Sequence, residues 1–198
     1  MDGTMEYNPG KNRLFLAFDL PDDVAGAVGD IQQKIREHDL NVKWVARQNL
    51  HLTVKFLGDV SAGGVAQVKK AAAAAVQAVP ALTVRVRCAG AFPDMRRPRA
   101  VWVGLSGDTA GLIRCHDVLD DRLEQAGFEK DNRRFNAHIT MGRIKGRVDT
   151  GRLADAMRPF LDFQSREFAM DRLILYKSDL QPSGPVYTVL ERFHLGNA

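Results

Sequence analysis

Residues 51–54 read His-Leu-Thr-Val and residues 138–141 read His-Ile-Thr-Met, so the pattern His-x-Thr-x occurs twice in a chain of 198 residues. The chain has five histidines and seven threonines, for which about 0.2 His-x-Thr matches are expected by chance. Both copies lie in segments rich in apolar and β-branched residues, which predict strands over residues 51–56 and 138–144. Two such tetrads are far stronger evidence of a shared site than one.

The spacing within each tetrad has a direct meaning on a strand, where residues i and i+2 point to the same face. His51 and Thr53 are therefore expected on one face, and His138 and Thr140 on one face of the other strand. The alternate residues should face the core; they are Leu52, Val54, Phe56, Ile139 and Met141.

Working outward, the two tetrads occupy corresponding places in two halves of the chain. A strand predicted over residues 13–20 precedes His51, with 38 positions from Arg13 to the histidine. A strand over residues 100–105 precedes His138, with 37 positions from Val101 to the histidine. This near-equality indicates two structurally similar halves.

The remaining elements follow from periodicity and end signals. The predicted helices are one capped by Asp22 or Asp23 with apolar positions from Val24 to Ile35, one capped by Ser61 and ended by Pro80, one over residues 109–126, and one near residues 151–160. Further strands are predicted over residues 42–45, 82–87, 163–169, 172–178 and 186–195. Because strands and helices do not alternate strictly, we expect an α+β fold with antiparallel sheets. We expect one bilobal domain over residues 12–198 after a disordered leader over residues 1–11.

Composition excludes several classes of protein. Apolar residues make up 45% and charged residues 26%, which is typical of a globular chain. Cys88 and Cys115 form no CxxC pair, so neither a disulfide framework nor a zinc site is indicated. The apolar runs are too short for a membrane span. These features predict a soluble cytoplasmic protein, and the net charge of +4 is compatible with an anionic partner.

Two imidazoles and two hydroxyls facing one cleft suit in-line displacement at a phosphodiester. One imidazole can act as a base on the entering oxygen, while the other protonates the leaving oxygen. An unperturbed histidine pKa near 6.5 lets one ring be neutral and the other protonated near pH 7. The threonine hydroxyls can hydrogen-bond the non-bridging oxygens. This chemistry requires neither a metal nor a cofactor.

Several segments occur in an order that resembles the RNA 2',3'-cyclic phosphodiesterases, also called 2'-5' RNA ligases, of the 2H phosphoesterase superfamily. These segments are Arg-Leu-Phe-Leu-Ala (13–17), Trp-Val (44–45), Asn-Leu-His-Leu-Thr-Val-Lys-Phe-Leu-Gly (49–58), Phe-Pro (92–93), Val-Trp-Val-Gly (101–104) and His-Ile-Thr-Met-Gly-Arg (138–143). The resemblance implies two pseudo-symmetric antiparallel sheets, flanked by helices, around a central cleft. One departure is Ala137, where the family often has proline.

The resemblance also implies an activity and roles for residues. The family opens a terminal RNA 2',3'-cyclic phosphate to a 2'-phosphate, and some members join tRNA halves by a 2'-5' linkage. His51 would be the proton donor to the leaving oxygen and His138 the base on water. Thr53 and Thr140 would hold the phosphate, and Arg143 would contact the phosphate or stack on the terminal base. Phe15 is a further candidate for base stacking, and a monomer is expected.

Two other functions stay open at the level of sequence. One is a 2H enzyme acting on a small cyclic nucleotide or an ADP-ribose cyclic phosphate, and the other is a non-catalytic module that binds RNA ends. ATP-driven ligation has no support, since neither a GxxxxGK[ST] nor a KxDG motif is present. His116 is expected in the core, and His38 and His194 have no assigned role in the site. A basic set could line an RNA path: Arg96, Arg97, Arg99, Arg133, Arg134, Arg143, Lys145 and Arg147.

Overall fold

The structure, a computed structural model, describes residues 11–182 and 184–196. The strands are β1 (Lys11–Asp19), β2 (Val42–Trp44), β3 (His51–Ser61), β4 (Leu82–Phe92), β5 (Ala100–Gly107), β6 (His138–Ile144), β7 (Phe168–Met170), β8 (Arg172–Gln181) and β9 (Gly184–His194). The helices are α1 (Asp22–Arg36), α2 (Ala62–Val76), α3 (Thr109–Gln125) and α4 (Thr150–Met157). The predicted leader lies outside the described residues except for Lys11, which begins β1.

The sheet has a palindromic strand order. It runs β7-β4-β5-β6-β3-β1-β8-β9, with β2 added beside β6. Read from its other end, the order is the same once β1 is exchanged with β5, β3 with β6, β4 with β8 and β7 with β9. The strands of the first three pairs hold corresponding places in the two halves. All pairings between strands are antiparallel. The predicted α+β fold with two similar halves is therefore confirmed.

The two expected sheets are joined at their centre by one pairing, Leu52↔Ile139 between β3 and β6. We call β3, β1, β8 and β9 the first lobe, and β6, β5, β4 and β7 the second lobe. The first lobe takes β8 and β9 from the second half of the chain, and the second lobe takes β4 from the first half, since β8 pairs with β1 and β4 pairs with β5. Helix α1 packs on α4 and α2 packs on α3. The halves are thus interlocked, and together they bury one main core.

Both tetrad strands contain a bulge at the same place. The register between β1 and β3 skips Val54, and the register between β5 and β6 skips Met141. A bulge puts two successive residues on one side of the strand, so Val54 and Lys55 both face the core. Phe56 returns to the opposite face and is 49% exposed. The prediction of a core position for Phe56 is therefore wrong, because it assumed strict alternation.

The predicted N-cap residue is correct for α2 and wrong for α1. Ser61 caps α2, as predicted, by accepting a hydrogen bond from the Gly64 N–H at 3.2 Å. The cap predicted for α1 is wrong, since Pro21 holds that position and Asp22 and Asp23 lie in the first turn. Carboxylates there still interact favourably with the helix dipole. Helix α2 ends at Val76, and β3 and β4 run past their predicted ends. Of the predicted strand 163–169, only residues 168 and 169 belong to β7, which ends at Met170.

Candidate active site

The pairing at the sheet centre brings the two tetrads together. Leu52 and Ile139, the second residues of the tetrads, are fully buried, while the histidine and threonine on either side of each are half-buried. Because the pairing is antiparallel, His51 lies toward Thr140 and Thr53 lies toward His138. The cleft between the lobes therefore holds two imidazoles and two hydroxyls.

Each imidazole is held by the same backbone contact. Nδ1 of His51 lies 2.7 Å from the Asn49 carbonyl, and Nδ1 of His138 lies 2.7 Å from the Asn136 carbonyl. A carbonyl only accepts, so Nδ1 of each ring carries the proton, and Nε2 is the atom that exchanges one. Nε2 of His51 also lies 3.0 Å from the Thr53 hydroxyl. Both rings therefore expose a proton-exchanging nitrogen of the same kind.

The surroundings of the two rings shift their pKa values downward. Burial lowers the pKa of His51 below its ordinary value of 6.5, and the charge of His138 adds to this, while the Asn49 carbonyl and the charge of Asp19 oppose it. Burial also lowers the pKa of His138, the Asn136 carbonyl opposes this, and the charge of Arg143 lowers it further. In the unliganded protein, neutral imidazoles therefore predominate at pH 7, which differs from the expectation of one charged ring.

Aromatic rings support both histidines. Phe15 stacks on His51 with centroids 4.9 Å apart and on Tyr176 at 5.2 Å, and Tyr187 packs edge-on against Phe15 at 4.9 Å. Phe92 packs edge-on against His138 at 4.7 Å. Phe15 was expected to stack on a base, but it is only 4% exposed. In the unliganded protein the Phe15 ring is thus packed against the His51 imidazole, and its stacking on a base stays a prediction.

Arg143 projects from β6 on the same side of the site. It is exposed, and its charge lowers the pKa of both His138 and Tyr187. These two residues belong to different lobes. The positive charge of Arg143 thus acts on groups in both walls of the cleft.

A pocket of about 290 Å³ adjoins His51. Its lining includes Asp19, Tyr176 and Tyr187. Asp19 lies directly across from His51 in the sheet register and accepts a hydrogen bond of 2.6 Å from the Tyr176 hydroxyl. The pocket therefore joins a carboxylate and two phenolic rings to the first tetrad.

Three features of the site were not predicted from the sequence. The asparagines that hold the imidazoles could have been found, because Asn-x-His-x-Thr occurs at 49–53 and again at 136–140. No repeated sequence pattern marks Asp19 or Tyr187, since only strand pairing in the folded sheet brings them close to His51. All eight residues of the predicted basic set are exposed. Their path for RNA stays a prediction.

Other predictions concern residues away from the cleft. His116 is 5% exposed, so the prediction that it lies in the core is confirmed, and its ring nitrogens lie 2.9 Å from Asp117 and 3.3 Å from Asp131. Among residues 11–182 and 184–196, no group of three His, Cys, Asp or Glu side chains is arranged to hold a metal ion. No helix in the same part of the chain is long and apolar enough to cross a membrane.

Comparison with protein families gives two matches to one model. The family described as LigT like Phosphoesterase matches residues 18–102 and again residues 103–187. The first match contains His51 and the second contains His138. Each half of the chain, with its own tetrad, thus resembles the same family unit.

Individual proteins agree over nearly the full length. An RNA 2',3'-cyclic phosphodiesterase of Methanothermobacter thermautotrophicus is 31% identical over 93% of this chain and 100% of its own, and one of Thermotoga maritima is 31% identical over 90% and 92%. Among solved structures, a Thermus thermophilus protein has a TM-score of 0.77 and 28% identity, covering 93% of this chain and 98% of its own. The E. coli LigT complexed with 3'-AMP has a TM-score of 0.70 and 27% identity, with the same coverage.

Proposed function

The chain belongs to the LigT-like phosphoesterase family, and from that premise we propose that it hydrolyses a terminal RNA 2',3'-cyclic phosphate to a 2'-phosphate. The observation that carries the proposal is the pair of imidazoles with matching Nδ1 contacts, one from each lobe, beside two threonines. The RNA substrate is supported by the names of relatives about 30% identical to this chain.

The proposed reaction is a single in-line displacement. Nε2 of His138 takes a proton from water as the water oxygen attacks phosphorus. The bond from phosphorus to the 3'-oxygen breaks, and Nε2 of His51 gives its proton to that oxygen. Thr53 and Thr140 donate to the non-bridging oxygens, where charge must be stabilised in the transition state. If a ribose 5'-hydroxyl replaces water, the same step gives a 2'-5' linkage without ATP.

Local charge supports this division of roles. Asp19 favours the protonated form of His51, as a proton donor requires. Arg143 favours the neutral form of His138, as a base requires. The two lobes supply equivalent histidines. The charge of Asp19 suits His51 to the role of acid, and the charge of Arg143 suits His138 to the role of base.

The test uses an oligoribonucleotide ending in a 2',3'-cyclic phosphate, with EDTA and without ATP. We expect turnover by the wild type and a loss of at least about 100-fold in His51→Ala and in His138→Ala, because general acid–base catalysis contributes about 10²–10⁴-fold. Both variants should still bind the RNA end.

The matched control is His38→Ala, which removes an exposed histidine outside the cleft and should retain the wild-type rate. Wild-type turnover by either tetrad variant would remove that histidine from the mechanism. Complete loss of wild-type activity in EDTA would contradict the proposed chemistry.

A further inference from the structure

Phe56 is an exposed aromatic side chain on the cleft face of β3. It is 49% exposed, and the other Phe, Tyr and Trp side chains in residues 11–182 and 184–196 are buried or half-buried. Its partner across the sheet is Phe15, the ring that stacks on His51. Phe56 follows Thr53 by three residues, about 10 Å along a strand. An apolar ring is thus presented to solvent beside the site.

Phe56 in the first lobe corresponds in position to Arg143 in the second lobe. Phe56 lies five residues after His51, and Arg143 lies five residues after His138. The two strands have the same burial pattern from the histidine through the bulge, and the residue that follows it is exposed in both. The charge of Arg143, in the second lobe, acts on His138 and on Tyr187 in the two walls of the cleft. Phe56 holds the equivalent position in the first lobe.

The Phe56 ring makes a cation–π contact with Arg13 and borders an open groove. The Arg13 guanidinium carbon lies 5.1 Å from the centroid of the Phe56 ring. A groove of about 520 Å³ borders the ring, lined by residues 56–58 of β3 and by residues 128–133. The second wall belongs to the segment that leads to His138. An aromatic ring with a neighbouring arginine is a common platform for single-stranded nucleic acid.

We propose that Phe56 stacks on the base of the penultimate nucleotide, the one before the nucleotide that carries the cyclic phosphate. This contact would make the enzyme prefer an RNA end over a cyclic mononucleotide. This inference rests on the proposed function and adds a subsite to it. A cyclic mononucleotide has no preceding nucleotide and gains nothing from this contact.

The test compares kcat/KM for a short 2',3'-cyclic-ended oligoribonucleotide with kcat/KM for 2',3'-cyclic AMP. We expect Phe56→Ala to lower the ratio of the two about 5- to 150-fold, since stacking on an aromatic side chain contributes about 1–3 kcal/mol per base. Phe56→Trp should keep the wild-type ratio, and Phe56→Leu should resemble Phe56→Ala. Leu161→Ala, which removes an exposed apolar side chain outside the groove, should keep the ratio too.

If a folded Phe56→Ala protein keeps the wild-type ratio of the two kcat/KM values, the inference is overturned. This includes the case in which kcat/KM falls equally for both substrates, which would place the terminal base on Phe56. If the wild type hydrolyses neither substrate, the proposed function fails. The subsite is then read from the affinity for an oligoribonucleotide ending in a 2'-phosphate, which Phe56→Ala should weaken by a similar factor. An unchanged affinity would overturn the subsite as well.

Discussion

The tetrad histidines differ in their charged neighbours more than in their own geometry. Both donate Nδ1–H to a carbonyl two residues earlier, and both are depressed in pKa by burial. Asp19 faces His51, whereas Arg143 lies near His138. A carboxylate near one ring and a guanidinium near the other bias otherwise equivalent imidazoles toward opposite protonation states.

These pKa directions predict the pH dependence of kcat/KM, which reports the free enzyme. In the proposed mechanism His51 must be protonated to act as the acid, so activity falls as pH rises through its lowered pKa. His138 must be neutral to act as the base, so activity falls as pH drops through its own lowered pKa. Both limbs should therefore lie below about 6.5, the ordinary histidine value. A pH profile of kcat/KM in a cyclic phosphate assay measures this.

Asp19→Asn provides the matching perturbation. Removing the charge that favours protonated His51 should lower the pKa of that ring further and move the alkaline limb to lower pH. A wild-type maximum above pH 7.5, or an alkaline limb that moves upward in Asp19→Asn, would contradict the assigned roles.

At the scale of elements, a buried ion pair ties β3 to the segment before His138. Nζ of Lys55 lies 2.5 Å from Asp120 on α3, 3.0 Å from Asp131 and 2.9 Å from the Glu129 carbonyl. The Lys55 and Asp120 side chains are 2% and 4% exposed. The segment held in this way continues to Asn136, whose carbonyl orients His138. The strand of the first tetrad thus helps to position the second.

Lys55→Met should lower the free energy of unfolding by about 3–5 kcal/mol, because the substitution leaves the Asp120 carboxylate buried without its partner. The matched control is Lys69→Met, which breaks an ion pair with Glu191 whose side chains are 37% and 46% exposed. That loss should stay within about 1 kcal/mol. Urea denaturation of the three proteins measures both values. Equal small losses would show that the Lys55 charge is not needed in the core.

The sequence patterns predicted the tetrad strands, most helix starts and the similarity of the halves, because these depend on local periodicity. They missed the buried Lys55, since its partners lie 65 and 76 positions away and an unseen bulge turns it inward. The same bulge put Phe56 on the wrong face of the predicted strand. The capping signal at Asp22 failed because Pro21 already supplies the non-helical backbone needed at that position. Local patterns thus indicated which histidines and threonines meet in the fold, but not the residues that hold them.

At the scale of the molecule, a palindromic sheet provides one site from two halves. The centre of the strand order falls between β3 and β6, where Leu52 pairs with Ile139. This places a histidine from each half at the cleft, and the exchanged strands β4 and β8 interlock the lobes on either side. An in-line displacement needs a proton acceptor and a proton donor on opposite sides of phosphorus. A two-fold arrangement of imidazoles supplies such a pair.

The most direct test of this account is the identity of the product formed from a 2',3'-cyclic-ended oligoribonucleotide in EDTA. If His51 protonates the 3'-oxygen while His138 activates water, every product molecule should carry a 2'-phosphate and a free 3'-hydroxyl, which ³¹P NMR distinguishes from the 3'-phosphate isomer. A 3'-phosphate product would contradict the account, because the bond to the 2'-oxygen would then be the one that breaks.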